Sequence, residues 1–198
     1  MRSGDNKLLN YRIMTLEEYK VLREQFDNEE IYLRERDRFY AEHPDIPKLK
    51  PIERLSLVMR REFAEAIVAG TKTVEVRDAD SVKWQNTLYS KEMIAYQDEH
   101  WDDGELMQLQ LMDFTSIVRP VYTIHFYNYN NSWNLDVECI DNEVIVVNDA
   151  NVQPLRDMYK TDEFDEILAD LNADNVPDEC RPCYFYFAIG QILDRRNI

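Results

Sequence analysis

The chain has 198 residues, enough for one compact domain with a sizeable core and too few for two full ones. With 44% hydrophobic and 31% charged residues its composition is globular, which excludes a disordered or fibrous class. The 23 Lys+Arg set against 39 Asp+Glu give a net charge of −16, a field that repels polyphosphate and counts against a general coat for duplex DNA.

The first residues, Met1-Arg2-Ser3-Gly4-Asp5-Asn6-Lys7, lack the hydrophobic core of a signal sequence. No apolar run approaches the ~18 residues that a spanning helix needs, so a cytoplasmic protein without a membrane partner is expected. Residues 15–40 read as helix. Thr15 and Glu18 have capping-box spacing, and Leu16, Tyr19, Leu22 and Phe26 form a rough apolar stripe. Pro44 and Pro47 mark residues 41–51 as a linker. Residues 1–50 are therefore expected to form an N-terminal helical extension, and residues 51–198 the main domain.

The main domain opens on a strand over 54–59, with Leu55, Leu57 and Met59 on one face. A short helix follows, with Phe63, Ala66 and Ile67 at i, i+3 and i+4, and Gly70 placed where a helix ends in a left-handed turn. The β-rich run 71–78 alternates, with Val74 and Val76 on one face and Thr73, Glu75 and Arg77 on the other. Residues 82–113 read as mainly helical and turn acidic from Asp98 onward. Tyr122, Ile124 and Phe126 then alternate, a turn is expected over 128–131, and Trp133, Leu135, Val137 and Cys139 alternate again. A second turn at Asp141-Asn142 leads to a strand over 144–147. Such strands suggest an antiparallel meander, curled into a barrel. Phe164, Ile167, Leu168 and Leu171 give an amphipathic helix with Thr161 as its cap, and the chain closes on the aromatic strand 184–189. The fold class that results is α+β, a β-barrel or strongly bent mixed sheet flanked by helices.

Three cysteines, Cys139, Cys180 and Cys183, do not make a disulfide framework. Cys180 and Cys183 have Cys-x-x-Cys spacing, but no second pair completes a four-ligand zinc site, so no metal and no cofactor are expected. Charge is unevenly spread. Residues 134–179 hold 14 acidic and two basic residues, a balance of −12. Residues 52–84 hold six of each, so the strand–helix–strand unit is the stretch able to greet an anion.

That unit carries the most informative segment, Gly70-Thr71-Lys72-Thr73-Val74-Glu75-Val76-Arg77. A strand here projects Glu75 and Arg77 from one face about 6–7 Å apart. Strict alternation puts Lys72 on the Val74 side, and it joins Glu75 and Arg77 only if the chain bends at 72–73. Arg offers a fork of donors, Glu accepts from amino groups and Lys is a compact cation, a set able to bind a polar planar ligand.

The run from Leu57 to Arg77, a strand, a short helix ending in Gly and then Gly-x-Lys-x-x-Glu-x-Arg, resembles the signature of the ASCH domain in the PUA-like superfamily. Gly70, Lys72, Glu75 and Arg77 match its fixed positions, and the closing strand Tyr184 to Asp194 resembles the family's last barrel strand. Residues 1–50 lie outside the resemblance. It implies a PUA-like β-barrel whose cleft, beside the Gly70–Arg77 segment, binds RNA or a nucleoside-like ligand. Lys72, Glu75, Arg77, Arg60 and Arg61 would be the binding residues, and Tyr89, Trp101 or Trp133 would stack on a base. Some small members hydrolyse N4-acetylcytidine with a Lys base and a Thr nucleophile. Lys72 and Arg77 match that pattern, but the Thr position is Glu75 here, so the nucleophile is missing. Two alternatives stay open. One is a hydrolase of a modified nucleoside or small amide, with Lys72 and Glu75 as catalytic candidates. The other is a protein-interaction module that docks a basic partner through acidic residues 134–179 or the N-terminal helix.

Overall fold

The computed structural model describes residues 34, 37–38, 40–99 and 116–198. Most of the helix expected over 15–40, Trp101, and the acidic run beyond Glu99 up to 113 lie outside them. Within them the fold is mixed α+β. The strands are β1 (Ile52–Val58), β2 (Val74–Asp78), β3 (Val121–Tyr127), β4 (Asn134–Val146) and β5 (Cys183–Arg196). The helices are α1 (Arg61–Val68), α2 (Val82–Leu88), α3 (Lys91–Glu99), α4 (Asp149–Tyr159) and α5 (Asp165–Ala173). Among the described residues no helix is long and apolar enough to cross a membrane.

The five strands form one sheet in the order β1-β3-β4-β5-β2. Only the β1–β3 pair is parallel. The sheet is mixed and bent but does not close into a barrel, because β1 and β2 stand at its two edges with no backbone ladder between them. On one face, Leu55, Leu57, Ile124, Phe126, Leu135, Val137, Phe185 and Phe187 pack with Ala64 and Ile67 of α1 and Leu88 of α2. Each such fully buried side chain contributes about 1.5–3 kcal/mol. On the other face, Val74, Ile145 and Tyr186 pack with Val152 and Leu155 of α4 and with Phe164 and Leu168 at and within α5.

Several sequence expectations need correction. No turn interrupts the chain at Asp141-Asn142, since β4 runs through both residues. Their turn-forming side chains are used instead to staple the sheet. Asn142 Oδ1 accepts from Val121 N at 2.8 Å, and its amide donates to Arg119 O at 3.1 Å. Asp141 Oδ2 accepts from the phenols of Tyr159 and Tyr186 at 2.6 and 2.8 Å. The bend comes from register shifts in β4 between Asp136 and Asp141. Facing that bend is Gly190, where a Cβ would lie 2.6 Å from both Glu138 Oε2 and Ile140 Cγ2.

Tyr122 alternates with Ile124 and Phe126 yet is exposed. Phe63 is exposed too, because α1 starts at Arg61 and turns Ala64 and Ile67, not Phe63, to the core. Thr161 does not cap α5; Phe164 holds that place, and Thr161 Oγ1 accepts from Glu163 N at 3.3 Å. The unexpected helix is α4, capped by Asn148, whose Oδ1 accepts from Asn151 N at 2.9 Å.

Candidate functional site

Helix α1 ends as its sequence requires. Gly70 takes φ +74°, its N–H bonds Ile67 O at 3.0 Å, and Thr71 N bonds Ala66 O at 2.9 Å. This doubly bonded left-handed cap turns the chain sharply into β2. β2 begins only at Val74, so Lys72 lies outside the strand and outside its alternation. The chain bends there, and Lys72 reaches the Glu75 side.

The result is an alternating chain of charges: Arg77 contacts Glu75, Glu75 Oε2 lies 3.3 Å from Lys72 Nζ, and Lys72 contacts Glu163. Lys72 is 8% exposed and Glu75 5%. Cross-strand register explains the burial of the acid. Glu75 faces Phe187 and Arg77 faces Phe185, so both point to the side of the sheet that holds the larger core. Arg77 also donates to Val76 O at 2.8 Å and to Val58 O at 3.1 Å. Burial lowers the Lys72 pKa, and Glu163 opposes the shift. Burial likewise lowers that of Arg77.

Two aromatic rings border the charges. Phe63 lies 5.5 Å from Lys72 Nζ, and Trp84 lies 6.0 Å from the Arg77 guanidinium. Thr73, also outside β2, does not join Glu75 and Arg77 as alternation predicts; its hydroxyl turns to α4 and donates to Tyr159 O at 2.5 Å.

Lys72, Glu75 and Arg77 thus come together, whereas Arg60 and Arg61 stand apart from them. Both are exposed and paired locally with acids of α1, Arg60 with Glu62 at 3.0 Å and Arg61 with Glu65 at 2.7 Å. They line a concavity of about 480 Å³ with Val58, Asn128, the 90%-exposed Tyr129 and Ser132. Two residues link the groups. Val58 lines the concavity and accepts from Arg77, and the Phe63 ring lies between Arg60 (5.4 Å) and Lys72.

Of the aromatics expected to stack on a base, Trp133 is fully buried in the core and Tyr89 packs against Phe185 at 5.1 Å. Phe63, Trp84 and Tyr129 hold the exposed or bordering positions instead. Sequence reasoning also missed Glu163, which comes from the loop between α4 and α5 and carries no local signal linking it to Lys72. Cys139 is buried with its thiol pushed up to about 12, first by desolvation; Cys180 is exposed and Cys183 half-buried. Among the described residues no group of three or more His, Cys, Asp or Glu is placed to hold a metal ion.

No family model and no curated protein matches this sequence. Among solved structures, the crystal structure of a mutant form of ZmASCH from Zymomonas mobilis is similar, at 15% identity over 73% of this chain and 74% of that chain, with a TM-score of 0.34.

Proposed function

We propose that this protein binds a nucleoside-like ligand, or a single unpaired base of an RNA, at the charge cluster of the Gly70–Arg77 segment, beside the concavity lined by Arg60 and Arg61. The observation that carries this reading is the alternation of Arg77, Glu75, Lys72 and Glu163 at the edge of β2, bordered by Phe63 and Trp84. Donors and acceptors alternate there as they do along the edge of a base, and the two rings supply stacking faces. The four charges sum to zero, and the chain as a whole carries −16. An uncharged planar ligand therefore suits the cluster better than a run of phosphates. Where RNA is the ligand, Arg60 and Arg61 would meet its backbone across the neighbouring concavity. The likeness of Leu57–Arg77 to the ASCH signature is in keeping with this reading.

The test is titration of the full chain with nucleosides and with labelled single-stranded RNA at two salt concentrations. Saturable binding is expected, weakened about tenfold or more by Lys72→Ala or Arg77→Ala. No saturable signal with any ligand, or equal binding by a variant carrying both Lys72→Ala and Arg77→Ala, overturns the reading.

One observation favours hydrolysis as a second reading: the buried Lys72 ammonium, its pKa lowered, touches the Glu163 carboxylate. The absence of a Thr at position 75 and the engagement of the Thr73 hydroxyl with Tyr159 O leave no side-chain nucleophile in the cluster, so water would have to attack. Turnover of N4-acylated cytidines that Lys72→Ala abolishes would replace binding by catalysis as the conclusion.

A further inference from the structure

We propose that Glu163 is a charge selector, which admits uncharged nucleosides to Lys72 and turns away nucleotides and free phosphate. The proposal deepens the nucleoside reading above and rests on it for the identity of the favoured ligand.

Lys72 is the compact cation to which a phosphate would bind, but its ammonium already contacts two carboxylates, Glu75 and Glu163. The two acids differ in access. The Glu75 side chain is 6% exposed and lies behind Lys72, whereas that of Glu163 is 25% exposed and forms the solvent side of the cluster. An anion approaching Lys72 from solvent therefore meets Glu163 before Glu75. Asp162 adds its field to the same ammonium.

Glu163 is also fixed in place. Its backbone N–H is bonded to the buried Thr161 hydroxyl, and the next residue, Phe164, is fully buried in the core against α4 and α5. The backbone of Glu163 is thus held on both sides, and its carboxylate is delivered to Lys72 from a fixed point. It can still accept a hydrogen bond from the amino or imino group of a neutral base.

The experiment compares the full-length wild type with Glu163→Gln, which keeps shape and removes charge, and with Glu163→Ala as a second variant, each checked for folding by circular dichroism. All are titrated calorimetrically at one ionic strength with the four ribonucleosides, their 5′-monophosphates and inorganic phosphate. The wild type is expected to prefer nucleosides. In the variants, affinity for monophosphates and for phosphate should rise about tenfold relative to nucleosides, roughly the effect of removing one nearby like charge. Adding Lys72→Met to Glu163→Gln should cancel that gain.

Nucleoside binding by the wild type with an unchanged monophosphate-to-nucleoside ratio in both folded variants overturns the selector and leaves the nucleoside reading intact. If no form binds a nucleoside, that reading falls. Selection of nucleosides falls with it; the exclusion of phosphate by Glu163 stands if Glu163→Gln gains phosphate binding through Lys72, and falls if it does not.

Discussion

Arg77 on β2 donates to the backbone carbonyl of Val58 on β1 across 3.1 Å, so a single guanidinium joins the two edge strands of the sheet. The same group neutralises the buried Glu75. Arg77→Ala removes both interactions and leaves a carboxylate buried beside Lys72 alone. A loss of about 2–4 kcal/mol is expected, read from urea denaturation. Arg77→Lys keeps the charge but not the fork and should fall between. A loss under about 0.5 kcal/mol for Arg77→Ala, the level of an ordinary surface change, would contradict this account.

Lys72 gives the protein a pH dependence of definite sign. Burial holds its pKa in the folded chain below the ordinary 10.5. Between the lowered value and 10.5 the unfolded chain binds more protons at this residue, so its contribution to stability rises with pH across that window and is smallest below it. Lys72→Met removes the effect. The slope of unfolding free energy against pH, measured as pH rises towards 10.5, should be less positive in the variant than in the wild type. Equal slopes would show that Lys72 titrates as in water.

Cys139 works in the opposite direction. Its thiol is raised from 9.0 to about 12 in the fold, chiefly by desolvation. Its contribution is therefore complete below pH 9.0 and is lost as pH climbs from there towards about 12. Cys139→Ala should flatten the alkaline decline by about 1 kcal/mol near pH 10. In the folded protein, iodoacetamide should alkylate the exposed Cys180 well before Cys139. Equal rates would place the Cys139 thiol in solvent.

Gly70 tests the turn that delivers Lys72. A Cβ at Gly70 meets nothing within 4 Å, so Gly70→Ala costs only the strain of φ +74°. That is about 1–2 kcal/mol, a few degrees in Tm. Gly70→Asn, a residue that tolerates this conformation, should recover part of it. An unchanged Tm in Gly70→Ala would mean the cap can re-form without the left-handed residue.

Legibility in the sequence followed the physics of each segment. The division of β2 into Val74/Val76 and Glu75/Arg77 faces could be read because a strand has a strict period of two. Gly70 could be read because its place after an apolar stripe has one common use. Phe63 could not be placed from spacing alone, since the start of α1 sets which stripe turns inward and Ala64-Ile67 fits the same period. Helix α4 was hidden by Pro154, ordinarily a breaker worth about 3 kcal/mol, although Val152, Leu155 and Tyr159 keep helical spacing; full burial of Val152 and Leu155 offsets that penalty. The partnership of Lys72 with Glu163 depends on how two distant segments dock and has no local trace.

The open seam between β1 and β2 has a mechanical consequence. A ladder of main-chain bonds resists sliding along its full length, whereas the bond from Arg77 to Val58 O pins two strands at one point. Compliance in this sheet is therefore concentrated where the charges gather. A guest wedged against Arg77 would strain one contact, while the paired strands on the far side stayed in register.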